Sequence, residues 1–289
     1  MRKLLLQLDT SPRPSVFDRI VGYDGGADDV MSYGGVTGDV VRDLVHGAIF
    51  TRGPRDLHHT AIFIGGADMA AGERLLAAVQ KAFFGPLRVS VMLDSNGANT
   101  TAAAAVAKLQ QGAGPLRGRR VLVTGGTGPV GLRAVGLLAR AGAEVTITAL
   151  PEMASAAVAT LASRFDAAVQ VLTAPTGQQL VAAVEGAELL LNTGPTGVQL
   201  VPHTAWAGRS GLRVVADLNA VPPVGIEGVE SRDDGTTRDG AITFGALGIG
   251  GLKMKVHKAC IARLFERNDL VLDAETIAQA ADQFAAPHS

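Results

Sequence analysis

The run Val121-Leu122-Val123-Thr124-Gly125-Gly126-Thr127-Gly128-Pro129-Val130-Gly131 sets Gly126, Gly128 and Gly131 at the G-x-G-x-x-G spacing. An apolar stretch that reads as a strand precedes it, and a helix pattern over 130–141 follows. In that context Gly126 permits a tight turn and Gly128 lets a pyrophosphate approach the backbone. Gly131 lets helix and strand pack closely while the helix N-terminus faces the phosphates. Residues 126–131, with Thr127, Pro129 and Val130 between the glycines, are therefore candidates for binding a dinucleotide, NAD(P). A Gly-rich structural turn is the plainer alternative.

A second strand from Glu144 to Thr148 should end in an acid that holds the adenosine ribose of NAD, or near an arginine that takes the 2′-phosphate of NADP. Thr148-Ala149-Leu150-Pro151 offers neither, Glu152 comes late, and Arg164 sits at the far end of the next helix. Thr148 is the candidate at this edge. The choice stays open, with a tilt to NAD from Leu150 and Pro151, because an unpaired phosphate dianion would lose its charge-assisted bonds. Two later loops, Asn192-Thr193-Gly194-Pro195-Thr196-Gly197 and Asp217-Leu218-Asn219 running on to Pro223, follow strands of the same series. Ligands of open α/β sheets bind at such ends, so Thr193, Gly194, Asp217 and Asn219 are cofactor candidates, although these residue types also make turns.

Proton-transfer chemistry is harder to find. Short-chain reductases use a Tyr-x-x-x-Lys acid, but Tyr23 and Tyr33 are followed four positions on by Ala27 and Thr37. His58 and His59 are adjacent, His46, His203 and His288 stand alone, His257 falls on a helix, and Cys260 is the single cysteine. That set has no metal-ligand spacing, and no metal is expected. Lys253, Lys255, His257 and Lys258 cluster after the run Phe244-Gly245-Ala246-Leu247-Gly248-Ile249-Gly250-Gly251. Helical spacing puts Lys253 and His257 on one face and Lys255 on another. A solvated helix face near a glycine hinge is one account, and a lysine lining a cleft is the other. Asp94, Asn96 and Asn99 sit at a strand-to-helix crossover, where capping and ligand binding are equally good readings.

These residues need a scaffold of α/β type. The 289 residues are 47% hydrophobic and 18% charged, with 36 Gly and only 4% aromatics, a balance that suits two domains packed through Ala, Val, Leu and close backbone approach. Strands are expected at 4–8, 61–64, 88–93, 120–124, 144–148, 169–172, 188–191, 213–216 and 241–244. Asp68 can cap a helix to Phe84, and Asn99 or Thr100 an Ala-rich helix to Gly112. An N-terminal α/β domain with a parallel-type sheet would occupy 1–98, joined by a C-terminal helix at 273–285, and a Rossmann-type dinucleotide-binding domain 99–272. A net charge of -1 argues against a nucleic-acid partner. No segment reaches the ~20 apolar residues of a membrane span. The apolar start is cut short by Gln7 and Asp9, and the lone cysteine fits a cytoplasmic protein.

Several segments taken together resemble the bacterial methylene-tetrahydromethanopterin dehydrogenases, including the type that also accepts methylene-tetrahydrofolate. They are 15–18 (Ser-Val-Phe-Asp), 21–28 (Val-Gly-Tyr-Asp-Gly-Gly-Ala-Asp), 68–74, 92–97 (Met-Leu-Asp-Ser-Asn-Gly), 126–131 and 244–253, spread over nearly the whole chain. The resemblance implies two α/β domains facing a cleft and reversible hydride transfer from a methylene-bearing pterin to NAD(P), giving the methenyl form. It also implies no metal and a homo-oligomer, a trimer or hexamer. By the same resemblance Asp18, Tyr23, Asp24 and Asp94, with Asn96 and His257, would face the substrate, and Lys253 or Lys255 would touch the pterin or tune its electrostatics. The NADP-linked members are expected to carry a basic residue where Leu150 and Pro151 stand. A shikimate-type dehydrogenase, which needs a Lys-Asp pair for an alcohol proton, and a non-catalytic NAD(P)-sensing protein are the alternatives.

Overall fold

A computed structural model describes residues 1–285, so His288 lies outside the described residues. In chain order the first elements are β1 (Leu4–Asp9), α1 (Val16–Asp24), β2 (Asp29–Tyr33), α2 (Val41–Phe50), β3 (Thr60–Gly65), α3 (Met69–Ala82), β4 (Ser90–Leu93) and α4 (Ala98–Ala113). Then come β5 (Arg120–Thr124), α5 (Pro129–Arg140), β6 (Glu144–Ala149), α6 (Pro151–Phe165), β7 (Gln170–Thr173), α7 (Gly177–Gly186), β8 (Leu189–Asn192), α8 (His203–Trp206) and β9 (Val214–Asp217). The chain closes with β10 (Asp234–Arg238), β11 (Ala241–Phe244), α9 (Ala246–Arg263), β12 (Val271–Leu272) and α10 (Ala274–Ala285). Two units result, one of residues 1–100 with 254–280, the other of 101–253 with 281–285.

The first unit is built on a five-stranded, all-parallel sheet in the order β2-β1-β3-β4-β12. Counted along the chain this is 2-1-3-4-5, the flavodoxin-like doubly wound order, whose strand sequence reverses between β1 and β3. A parallel sheet covered on both faces needs continuously apolar strands, which is why β3 is buried along its whole length. Local signals start the helices. Ser15 caps α1 by accepting from Asp18 N, and Asp68 caps α3 by accepting from the amides of Ala70 and Ala71. Helix α4 starts at Ala98, ahead of the expected caps. Asn99 instead donates to Leu93 O at 2.6 Å, and Asp94 receives the Thr100 amide and hydroxyl at 3.0 and 2.6 Å.

The second unit holds seven strands in the order β7-β6-β5-β8-β9-β11-β10, all parallel except β10, which runs antiparallel along β11. The six parallel strands follow the order 3-2-1-4-5-6 of a Rossmann sheet. Helix α5 buries Ala134, Val135, Leu137 and Leu138 and lies against α6, where a methyl group on Gly136 would collide with the Phe165 ring. Around Trp206, whose indole N–H donates to Glu227 O at 2.8 Å, Leu180, Val184, Leu190, Leu212, Val215 and Ile226 close a second apolar cluster. Burial of each such side chain contributes about 1.5–3 kcal/mol. The glycine run 245–251 forms no hinge loop; from Ala246 onward it is the first part of α9.

Candidate active site

The glycine turn lies between the end of β5 and the start of α5. Three of its glycines are closed in by the protein. Gly125 has a left-handed backbone (φ +66°), and a Cβ there would run into Gly194 Cα. The left-handed step of the turn thus belongs to Gly125 rather than to Gly126, where a Cβ would come within 3.0 Å of Ile147 Cγ2. At Gly131 a Cβ would meet Thr193 Oγ1 at 2.7 Å and the Gly126 carbonyl carbon at 2.8 Å. Gly128 is different, since a Cβ built there has nothing within 4 Å. It is also the N-cap of α5, with φ −75°, no side-chain capping bond and Pro129 behind it. A first helical turn without a capping side chain, in front of open space, is suited to an anion. The turn therefore fits the phosphates of a nicotinamide nucleotide.

Beside the turn three strands end in a row of polar residues. Thr124, Asn192 and Asp217 close β5, β8 and β9 and stand in register across the sheet. Thr124 Oγ1 donates to Asn192 Oδ1 at 2.9 Å, and Asn192 Nδ2 donates to Asp217 Oδ1 at 2.7 Å. Asn192 Oδ1 also accepts from Gly194 N at 3.1 Å. Asp217, 1% exposed, takes two further backbone donors, Asn219 N at 3.0 Å and Ile226 N at 2.9 Å. Thr193 Oγ1 donates toward the carbonyls of Thr124 and Gly125 at 3.2 and 3.1 Å. The buried Asn219 accepts from Val221 N and donates to Pro223 O. Asn219 thus binds its own loop, Asp217 binds its own loop and Asn192, and Thr193 ties the 192–197 loop to the glycine turn. Thr148 Oγ1 likewise accepts from Gly125 N at 3.1 Å and steadies the turn, while Thr127 Oγ1 lies 3.6 Å from Met153 Sδ. Leu150, half-exposed, and Pro151 bring no charge to the edge after β6. Thr124 is absent from the sequence candidates, and Asn192 enters them only as the first residue of the loop 192–197. Their signal is the polar residue that follows an apolar run at the end of each of β5, β8 and β9.

In the first unit the ends of β1, β3 and β4 gather several candidates. Asp9, buried at the end of β1, accepts from Ser11 N and Ser15 N at 2.8 and 3.0 Å and so folds the loop that leads into α1. Asp18, in the first turn of α1, reaches Gly65, where a Cβ would lie 3.4 Å from its Oδ2. Ser95 Oγ donates to Gly65 O at 3.0 Å, and Asn96 N donates to Gly66 O at 2.6 Å. Asn96 itself is exposed and left-handed (φ 56°). Asp94 and His257 are wholly buried, with Nδ1 3.9 Å from Oδ2. The imidazole stacks on Phe63 at 5.5 Å and lies 6.4 Å from the half-exposed Phe17. His257 is therefore inside the first unit, not on a solvated face. Asp24 pairs with Lys258 at 2.7 Å, and Tyr23 is exposed on α1. Lys253 is half-buried on α9 and Lys255 exposed. Burial pushes the Cys260 thiol up to about 12. Among the described residues no group of three or more His, Cys, Asp or Glu is placed to hold a metal ion.

Residues 16–96 match the sequence profile of the N-terminal domain of methylene-tetrahydromethanopterin dehydrogenase. The chain is 50% identical over 286 residues to the bifunctional protein MdtA of Methylorubrum extorquens, covering 98% of this chain and 99% of that protein. It is 29% identical to the NAD(P)-dependent methylenetetrahydromethanopterin dehydrogenase of the same organism, over 94% of this chain and 95% of that one. Among solved structures, the shikimate 5-dehydrogenase of Listeria monocytogenes in complex with shikimate and NAD shares the fold, with a TM-score of 0.56, 14% identity and 96% of each chain covered.

Proposed function

The chain belongs to the methylene-tetrahydromethanopterin dehydrogenase family, and from that premise we propose that it transfers a hydride reversibly from methylene-tetrahydromethanopterin, methylene-tetrahydrofolate or both to NAD(P). It is an NAD(P)-dependent oxidoreductase of one-carbon metabolism. The observation that carries the reading is the glycine turn at the mouth of a 3-2-1-4-5-6 sheet, closed by protein at Gly125, Gly126 and Gly131 and open at Gly128. When bound, the nicotinamide ring accepts or returns the hydride.

Residues 126–131 would hold the phosphates through backbone N–H groups, with Thr193 and Gly194 as one wall and Thr148 fixing the turn from behind. The substrate carbon lies between two nitrogens whose lone pairs stabilise the cation left when hydride departs, so this step needs no acid or base. What the protein has to do is hold the reacting atoms about 3–3.5 Å apart and keep out water that would hydrolyse the product. Asp18, Asp94, Asn96 and His257, at or beneath the strand ends of the first unit, are assigned to the pterin side, with Tyr23, at the far end of α1, as the outlying candidate. The buried members Asp94 and His257 would shape that surface from beneath. Lys253, with Lys255 the weaker candidate, would set its electrostatics, and Asp24 acts with Lys258.

The first domain would carry substrate and subunit contacts, the Rossmann domain the nucleotide, in a cytoplasmic homotrimer or homohexamer whose mass light scattering measures. Among the described residues no helix is long and apolar enough to cross a membrane. Mixing the protein with either methylene pterin and NAD or NADP should generate reduced nucleotide; no absorbance change with both pterins and both nucleotides would refute the activity. The uncharged Leu150-Pro151 edge favours NAD, and a strong NADP preference in kcat/KM would overturn that assignment.

A further inference from the structure

The polar row across β5, β8 and β9 has a fixed direction. Both carboxylate oxygens of Asp217 face donors, with Asn192 Nδ2 and Asn219 N on Oδ1 and Ile226 N on Oδ2. Only an acceptor at both positions satisfies that set. The Asn192 amide is thereby locked with its NH2 toward Asp217 and its oxygen toward Thr124 Oγ1 and Gly194 N. A reversed amide would set its oxygen against the Asp217 carboxylate and its NH2 against Gly194 N, while the Thr124 hydroxyl, able to donate or accept, would adapt to either arrangement. Gly194, held in this way, lies backbone to backbone against Gly125, and Thr193 Oγ1 fills the space beside Gly131. Gly225 closes the pocket behind, since a Cβ there would strike the Asn192 amide.

We propose that Asp217 is a positioning residue for nucleotide binding, acting through the orientation of the Asn192 amide on the Thr193-Gly194 segment and so on the glycine turn. This rests on residues 125–131 being the nucleotide site. Asp217 touches no nucleotide; it sets the polarity of a relay that ends at Gly194 N.

The test is Asp217→Asn, which keeps shape but turns one acceptor into a donor. Its NH2 then opposes either Ile226 N, or the Asn192 NH2 together with Asn219 N; both arrangements remove the carboxylate charge that holds the Asn192 amide, and in the second that amide reverses against Gly194. Calorimetric titration with NADH and NADPH should show Kd raised about tenfold or more, the effect of one charge-assisted hydrogen bond to the phosphates lost when the displaced turn no longer presents its N–H. The double variant Asn192→Asp with Asp217→Asn restores acceptors toward Thr124 and Gly194 and a donor toward residue 192, and gives up only the Asn219 N bond. It should bind within about threefold of the wild type, the coupling expected of residues in one network. A purely architectural role would lower Tm in the single variant and leave Kd unchanged. A folded Asp217→Asn protein with wild-type Kd, or a double variant that binds no better than the single, overturns the proposal. If the single variant does not fold, the double decides alone: recovered binding supports the relay, and a double that is unfolded or does not bind refutes it. Wild-type protein that binds neither nucleotide would refute the nucleotide site itself, a different result from an unaffected variant.

Discussion

Gly128→Ala separates a binding surface from a structural turn. Its φ of −75° suits any residue, and the added methyl has no protein atom within 4 Å, so the folded protein accommodates it. Two small terms act on stability. Losing a glycine reduces the freedom of the unfolded chain and stabilises by about 0.4–1 kcal/mol. Alanine is a poorer N-cap than glycine, at a cost of roughly 0.5–1 kcal/mol. The net lies within about 0.5 kcal/mol, a shift in Tm of about 2 °C or less. The methyl would, however, stand where a pyrophosphate has to approach the backbone. Loss of a single charge-assisted hydrogen bond there is worth about 1.5–3 kcal/mol. That converts to about 10–150-fold in Kd. Thermal unfolding without ligand and calorimetric titration with NADH and NADPH measure both quantities. An unchanged Tm with a Kd within twofold of wild type would show that nothing binds over Gly128, and the nucleotide reading of the turn would go with it.

Gly136→Ala should destabilise by about 1–3 kcal/mol, because the new methyl meets the Phe165 ring and α5 cannot move off the sheet without opening the core; a urea midpoint equal to wild type counts against this packing. Asp233 is buried, which by itself opposes ionisation, yet donors from Arg238, Glu230 N and Thr243 prevail and hold its carboxyl below the usual range. Its folded value is thus depressed, and the stability it contributes is present above the unfolded carboxylate range and disappears as pH falls through the folded value. Asp233→Asn should flatten the acid limb of stability against pH below about 4, and an unchanged acid limb contradicts the assignment. Cys260, raised to about 12 by burial, should resist alkylation at pH 8 in the native protein and react on unfolding. Stoichiometric labelling of the native protein within minutes would mean that the helix opens readily.

The parts of this fold that the sequence announced are those under strong local constraint. Fully buried strands such as Thr60–Gly65 and Leu189–Asn192 are short apolar runs, and Asp68 marks the start of α3 by its capping chemistry. Strands with little burial left little trace. In Asp29–Tyr33 only Val30 is buried, Asp234–Arg238 is an exposed antiparallel edge, and Val271–Leu272 is two residues long. At the site, the glycine spacing was legible, but not the fact that Gly125 carries the left-handed step, since that depends on Gly194 from a distant loop. Asp217 and Asn219 look like ligand groups in sequence because polarity at a strand end is visible there and hydrogen-bond partners are not. His257 read as part of a charged helix face, although its stacking on Phe63 and its approach to Asp94 join residues some 160–190 positions apart.

The two-residue strand β12 adds a constraint of timing. It borders β4, and the Ser90 hydroxyl is bonded to the Arg267 carbonyl and the Leu270 amide, so one margin of the first sheet is made of residues synthesised some 180 positions later. The second unit draws all seven of its strands from one unbroken stretch, 120–244. During translation the later-encoded sheet can therefore finish before the earlier one, while Val91 and Met92 wait on the ribosome with an unpaired border. Refolding from denaturant, in which every residue is present from the start, removes that delay, and β12 then closes on β4 as a non-local contact.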